Sequence, residues 1–431
     1  MNIKDFFSSK KDGLRVGKIM ESAPAEPDLT NSRHAEWVKN SSEQLTYLLK
    51  TPETASQFED FIYKNVRDRI PVLFLLALKN ALSKLLVNRL KEPLKVSVIF
   101  AIYKEKERMQ EKSAAFPLGE NFLEEKVKQL QWLFKDNPAI TAKIIAVDDG
   151  CPEQSGKEAE RIIKEKQLPG ISVLYLEDAI KNKLDIVDSL KSTSESQKGG
   201  SIVYGMWHAA NQNVDSQHVI VYTDADLSTH LGQTGLLIDP IVRKNKKAAI
   251  GSRREERSVS IKKGMRNYRG KLFIFLWKKM LPQLDFITDT QCGFKAFDSQ
   301  IVNKITKDMI EKKFAFDIEL LLRTVLMDKN AVEIVPIVWI DSDEASTTKA
   351  LSPYLSMLKQ VARMQEKYTR PTEEARAFAE FVLGLDENQF HYLLEHIPEV
   401  IKETDPKEFH KLKAIGPEDL QKIINSRTKE R

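Results

Sequence analysis

The stretch from His218 to Ser228, HVIVYTDADLS, constrains the fold of this chain more than any other. Val219, Ile220, Val221 and Tyr222 form a short run of β-branched and aromatic residues bounded by polar ones, the pattern of a buried strand. Asp224 and Asp226 fall at its carboxyl end, the edge at which open α/β sheets bind ligands. Two carboxylates at i and i+2 on a strand-to-loop transition point toward one site. They suit a hard divalent cation that also takes phosphate oxygens, as on a nucleotide diphosphate. A bare Asp-x-Asp is usually no more than a turn, so the flanking chain has to decide.

That chain alternates strands and helices from Leu94 onward. LKVSVIFAIY reads as a strand, Glu120 to Phe134 as a helix, AKIIAVDD as a strand, Ser155 to Lys166 as a helix and ISVLYLE as a strand. A helix from about Gly199 to Asn211 then leads into the strand that ends at Asp224. This order predicts an α/β fold: a Rossmann-like, mostly parallel sheet flanked by helices on both faces. Right-handed crossovers bring the strand ends Tyr103, Asp148, Asp149, Asp224 and Asp226 to one edge.

Helical extensions are expected on both sides, so that the chain divides into residues 1–93, 94–370 and 371–431. In the first, Leu75, Leu78, Leu82, Leu85 and Leu86 lie on one face of a helix opening at Pro71. Seven basic residues stand against two acidic ones between Lys64 and Glu92. The pattern fits either a helix lying in a membrane interface or one packed on its own domain. In the last, short helices are expected after Thr372, around Asn388 to His396 and from Pro417, with no readable motif.

Composition excludes several classes. In 431 residues the net charge is only +5, so no global field argues for nucleic acid, and none is expected as a partner. Cys151 and Cys292 are the only cysteines and build no disulfide framework. No run of eighteen apolar residues occurs, and the amino terminus lacks a signal-like apolar core. The expectation is a cytoplasmic protein, peripheral at a membrane face if the basic helix is interfacial.

The blocks SVIFAIYKEKE, VDDG, KGGSIVYGM, TDADLS, IGSRRE, DTQCGFKAF, FAFDIELL and EIVPIVWI, in this order, resemble the family-2 glycosyltransferases of GT-A fold. They are similar in particular to the polyprenyl-phosphate group, the dolichyl-phosphate glucosyltransferases and mannosyltransferases. QCGFK is closest to the glucosyl branch. The resemblance implies that Asp149 contacts the nucleotide base, that Lys198 opens a helix beneath the donor, and that Asp224 meets ribose or metal. Asp226 would ligate Mg2+ or Mn2+ at the donor diphosphate, and Glu105 stands where the family has the glutamate of its YNE motif. Lys104 replaces the asparagine of that motif, His230 and Leu231 stand where a proline is usual, and inserts occupy Arg108 to Gly119 and Asp178 to Gln197.

Between Arg253 and Lys271 there are eight basic residues and two acidic ones, and arginine suits bidentate phosphate contact. By resemblance Arg253 lies near donor phosphates, with Arg266 and Arg269 as acceptor-phosphate contacts. Asp289 is the candidate carboxylate facing the acceptor, and Asp317 follows, with Glu319, on a helix near it. The activity implied is metal-dependent, inverting transfer of a hexose from a nucleotide-diphosphate sugar, UDP-glucose before GDP-mannose, to a polyprenyl phosphate. A soluble hydroxyl acceptor, or an inactive nucleotide-sugar-binding scaffold, are the alternatives.

Overall fold

A computed structural model describes residues 6–212, 216–261, 267–342 and 352–426. The chain opens with α1 (Lys10–Glu21), α2 (Ser32–Leu49), α3 (Pro52–Asn65) and α4 (Val72–Asn88). α2 begins at the residue where apolar periodicity starts. α1 lies in a polar stretch ahead of the first apolar periodicity; Ser9 caps it, and a narrow stripe containing Val16 and Ile19 is all that it buries.

α4 differs from the amphipathic helix that its leucines suggest, because 14 of its 17 residues are buried. Much of its polar face is paired inside the protein. Lys79 Nζ pairs with Glu59 Oε1 on α3 at 2.6 Å. Lys84 Nζ donates to the Trp132 carbonyl at 2.5 Å and pairs with Asp136 at 2.9 Å. Ser83 Oγ accepts from Gly235 N at 2.8 Å. A helix so enclosed is internal, and the interfacial role considered for it does not fit. No helix among the described residues is long and apolar enough to cross a membrane.

Among the described residues nine strands follow: β1 (Leu94–Ile102), β2 (Ile140–Asp148), β3 (Ile171–Tyr175), β4 (Gln217–Thr223), β5 (Ala248–Ser252), β6 (Val259–Ile261), β7 (Phe294–Asp298), β8 (Val332–Pro336) and β9 (Val338–Ile340). Between them run α5 (Phe122–Phe134), α6 (Ser155–Glu165), α7 (Leu176–Lys181), α8 (Gly199–Ala210), α9 (Thr234–Lys244), α10 (Asn267–Met280), α11 (Ser299–Thr306) and α12 (Phe316–Met327). The main sheet has the order β3-β2-β1-β4-β7-β5-β8, parallel except for β7, which runs antiparallel to both neighbours. The segment EIVPIVWI splits at Pro336, which has no N–H to continue the ladder: β8 closes the main sheet and β9 pairs with β6.

The sheet is apolar on both faces. Along β4, Val219 and Val221 enter one core with α1 to α5 and α9, whereas Ile220 and Tyr222 enter the other. That second core is completed by α13 (Ser352–Tyr368), α14 (Glu373–Gly384), α15 (Glu387–Glu395), α16 (Glu399–Glu403) and α17 (Pro417–Ser426). These helices cover α10. Phe275 meets Phe378 and Phe409 edge-on at 5.9 and 5.7 Å, and Phe273 packs on Tyr354 at 5.3 Å.

The buried Lys79–Glu59 pair makes a prediction. Lys79→Met leaves the Glu59 carboxylate only the half-exposed Arg257, 3.8 Å away, and should cost about 3 kcal/mol, whereas Lys79→Met with Glu59→Leu should recover most of that. Urea unfolding of both variants checks it; equal losses would mean that the charge is not what matters.

Candidate active site

Strand order reverses between β1 and β4, so the loops leaving these two strands frame the crevice in which such sheets bind ligands. Asp224 begins the loop after β4. Its N–H donates to the Gly293 carbonyl at 3.1 Å, and a Cβ on Gly293 would lie 2.4 Å from its carboxylate, which is why this position has no side chain. The Lys198 ammonium, at the N-terminus of α8, pairs with the Asp224 carboxylate. Lys198 has φ +74°, a strained backbone for a non-glycine residue. Burial alone would raise the Asp224 pKa, but Lys198, Arg253 and Lys126 outweigh it and hold the group below its ordinary value.

Asp226 sits over a network that uses residues outside the motifs. Arg108 donates from Nε to Glu120 at 2.8 Å and from one terminal nitrogen to Glu105 at 2.9 Å. Its other terminal nitrogen lies 3.4 Å from Asp226. Glu120 also accepts from Leu227 N at 2.9 Å, and the Lys126 ammonium donates to the Asp226 carbonyl at 2.8 Å. One guanidinium thus faces three carboxylates. Burial, with Asp226 and Glu120 nearby, pushes Glu105 up to about 7 against the pull of Arg108, and burial brings Lys126 down to about 8.

Lys104 occupies the left-handed region at φ +59°, where asparagine is better tolerated than lysine. Its N–H reaches Cys151 Sγ at 3.1 Å, and Glu105 N reaches Ser155 Oγ at 3.0 Å, which ties the β1 loop to the β2 loop.

At the end of β2, Asp148 accepts from the N–H groups of Gly150, Cys151 and Gly156 and builds the turn into α6. Asp149 accepts from Ser196 and Ser201 hydroxyls, each at 2.6 Å, and from Lys198 N at 2.8 Å; burial raises its pKa despite these donors. The insert before Lys198 therefore folds onto the position expected to meet the base, with Thr193 pressed against Gly150.

Asp289, expected as a base facing the acceptor, is committed to Arg253. It accepts from Arg253 N and Nε at 2.8 Å and from a terminal nitrogen at 2.7 Å. Burial raises its pKa, but the guanidinium and its hydrogen bonds override that and hold the carboxylate well below the usual range, which makes it a weak proton acceptor. Arg253 in turn lies over the Trp339 ring at 5.3 Å.

Asp317, also expected near the acceptor, is buried beneath the sheet, where it pairs with Lys295 at 2.7 Å and takes the Tyr222 hydroxyl. Glu319 holds the N–H groups of Ile310 and Glu311 and the Tyr368 hydroxyl. Neither is open to a substrate. Arg269 is exposed, and Arg266 lies outside the described residues.

The loop from Ser252 to Ser258 is gripped from two sides. Arg257 pairs with Asp60 at 2.7 Å, and its carbonyl accepts from Tyr63 on α3 at 2.7 Å; Glu255 pairs with Lys407 of the carboxyl-terminal region at 2.8 Å.

Asp224 and Asp226 are each about a quarter to a third exposed, and oxygen ligands of this kind fit a divalent cation whose shell is completed by phosphate oxygens and water. Among the described residues no group of three or more His, Cys, Asp or Glu could hold a metal by itself.

Sequence reasoning missed Arg108, Glu120 and Lys126. Lys126 carried a signal: it falls four residues after Phe122 and four before Leu130, inside the buried stripe of α5. Arg108 and Glu120 bracket an insert and carried none.

The strand order, one antiparallel strand and a paired-carboxylate loop at the switch point resemble the arrangement of the GT-A glycosyltransferases. In sequence the chain resembles the dolichyl-phosphate beta-glucosyltransferases. It is 26% identical to the human protein over 241 residues, which cover 52% of this chain and 61% of that protein. It is 26% identical to the Drosophila melanogaster protein over 274 residues, 62% of this chain and 72% of that one. No protein-family model matches. Among solved structures, glucosyl-3-phosphoglycerate synthase from Mycobacterium tuberculosis, in complex with Mn2+, UDP and glucosyl-3-phosphoglycerate, overlays with a TM-score of 0.44 at 14% identity. The overlay covers 68% of this chain and 86% of that one.

His230, at the end of the Asp226 loop, is enclosed against α4. Its Nδ1 accepts from Gly232 N at 2.9 Å and lies 3.3 Å from Asn80, and burial brings its pKa down from 6.5 to about 3. A base whose folded pKa is depressed contributes stability above its unfolded value and loses it as pH falls from 6.5 toward 3. The slope is at most about 1.4 kcal/mol per pH unit. His230→Asn, which keeps an acceptor for Gly232, should flatten this acid limb in denaturant melts between pH 7 and 4; an unchanged slope would show that His230 is not its source.

Proposed function

We propose that this protein is a nucleotide-sugar-dependent hexosyltransferase, with UDP-glucose the favoured donor and GDP-mannose the second, acting on a polyprenyl phosphate. The observation that carries the reading is the meeting of Asp224, Asp226 and Lys198 in the crevice between β1 and β4. The relatives' names supply the substrate class.

A sugar nucleotide brings its own leaving group, so the protein has to stabilise diphosphate charge and align the acceptor with the anomeric carbon. Asp226 and Asp224 would hold the divalent cation, Mn2+ or Mg2+, which supplies Lewis-acid neutralisation of the departing diphosphate. Lys198 adds a second positive charge at the same place, and Arg108 and Lys126 hold Asp226 from beneath. Asp149 and the Ser196–Lys198 turn flank the position for the base.

Neither carboxylate expected as the base is free for that role, since Asp289 is bound by Arg253 and Asp317 by Lys295. A hydroxyl acceptor needs its proton removed in the transition state. A phosphate monoester, with a second pKa near roughly 6, attacks as an oxyanion already formed. The chemistry of the carboxylates therefore favours a phosphate acceptor and a single displacement with inversion. In this reading Asp289 is a positioning residue for Arg253.

A second reading, a water-soluble phosphorylated acceptor, is favoured by the covering of both α4 and α10 with the chain's own helices, which leaves neither to meet a lipid surface.

Calorimetric titration of UDP-glucose and GDP-mannose, with Mn2+ and with chelator, tests the proposal. One donor should bind at least about tenfold more weakly with chelator, and Asp226→Asn should show the weaker value in both conditions. Equal affinity throughout would remove the metal, and no binding of either donor would remove the transferase and leave a scaffold.

A further inference from the structure

The segment from Asn182 to Gln197, between α7 and α8, has two halves that are held in different ways. In the first, Ile186, Val187 and Leu190 are buried in the core that α8 also enters. In the second, Lys191, Ser192 and Ser194 are exposed, and most hydrogen bonds stay within the segment. Glu195 accepts from Lys191 N at 2.7 Å, and the Ser192 and Ser194 hydroxyls meet at 2.7 Å. This half reaches the sheet edge at two points. Ser196 Oγ donates to Asp149 Oδ1 at 2.6 Å, and the Thr193 side chain lies so close to Gly150 that a Cβ there would have no room.

Asp149 is only 6% exposed, and the chain itself takes most of its acceptor positions. Oδ1 accepts the hydroxyls of Ser196 and Ser201, and Oδ2 accepts Lys198 N at 2.8 Å. An ionised carboxylate has about four lone-pair sites, so roughly one is left, on Oδ2. Two of the three donors, Lys198 N and Ser201, belong to the start of α8, which the Lys312 carbonyl fixes by accepting from Gly200 N at 2.8 Å. Ser196 alone comes from the loosely held half. A donor carried by a segment with few other ties is the one that a ligand displaces at least cost.

We propose that residues 191–196 form a strap that competes with the nucleobase of the donor for Asp149. Uracil and guanine each carry an imino N–H, and this group takes the place of the Ser196 hydroxyl on the carboxylate as the strap swings out between Leu190 and Lys198. The inference rests on the transferase reading, in which Asp149 faces the base. What it adds is regulation of that site: the chain's own hydroxyl holds the position against the donor. The observed donor affinity is then set by the share of molecules in which Ser196 is off Asp149.

Calorimetric titration of the full chain with UDP, with GDP and with pyrophosphate, a probe that has no base, tests this in the presence of Mn2+. Ser196→Ala removes the competitor and should tighten the preferred nucleotide by about 3- to 10-fold, the worth of roughly one hydrogen bond, with pyrophosphate affinity as in wild type. Thr193→Ala, which loosens the strap without touching Asp149, should act in the same direction. A Ser196 that merely holds Asp149 in place predicts the opposite sign. In wild type, the nucleotide should speed tryptic cleavage after the exposed Lys191, and pyrophosphate should not.

Nucleotide affinity in Ser196→Ala equal to or below that of wild type overturns the strap and leaves the transferase standing. Cleavage after Lys191 that is slowed or unmoved by nucleotide does the same. A tightening shared by pyrophosphate puts the gain in the diphosphate part of the site and also overturns it. Failure of both UDP and GDP to bind either protein overturns the transferase reading, and the strap with it.

Discussion

A sheet that is apolar on both faces cannot exist without cover on both, and most of this molecule follows from that. β4 alternates Val219 and Val221 toward one side with Ile220 and Tyr222 toward the other, and all four are fully buried. The helices between the strands cover part of each face. The rest is covered by α1 to α4 on one side and by α13 to α17 on the other, so the two ends of the chain finish two separate cores rather than hang from a completed domain.

The same depth of burial governs the charges at the sheet edge. Ionised groups there survive only in pairs, and each pairing assigns a task. Lys198 keeps Asp224 ionised, and Arg108 is divided among Glu105, Glu120 and Asp226. Arg253 withdraws Asp289 from proton chemistry, and Lys295 and Tyr222 occupy the Asp317 carboxylate. The arrangement concentrates positive charge around two aspartates, which is an environment for a polyanion.

The parts of this fold that repeat with a strong period were legible in the sequence. The strand ends carrying Asp148, Asp149, Asp224 and Asp226 come to one edge as their alternation with helices requires. What periodicity could not show was partnership. The lysines of α4 read as a solvated or membrane-facing stripe because Glu59 and Asp136, which take them inside, lie on other elements. Asp289 and Asp317 looked free for the same reason, and the antiparallel direction of β7 is invisible to a hydrophobic pattern. α1 was missed because a helix that buries one narrow stripe differs little from a polar loop in composition.

The grip on the Ser252–Ser258 loop has one further consequence. Tyr63 and Asp60 come from about 190 residues earlier in the chain and Lys407 from about 150 later, so the loop is immobilised by contacts of very long sequence separation. The entropy of ordering its arginines is therefore spent during folding and not at the moment a ligand arrives. Arg253 is thus set in place before any ligand arrives, by a loop that the two helical extensions hold from opposite sides.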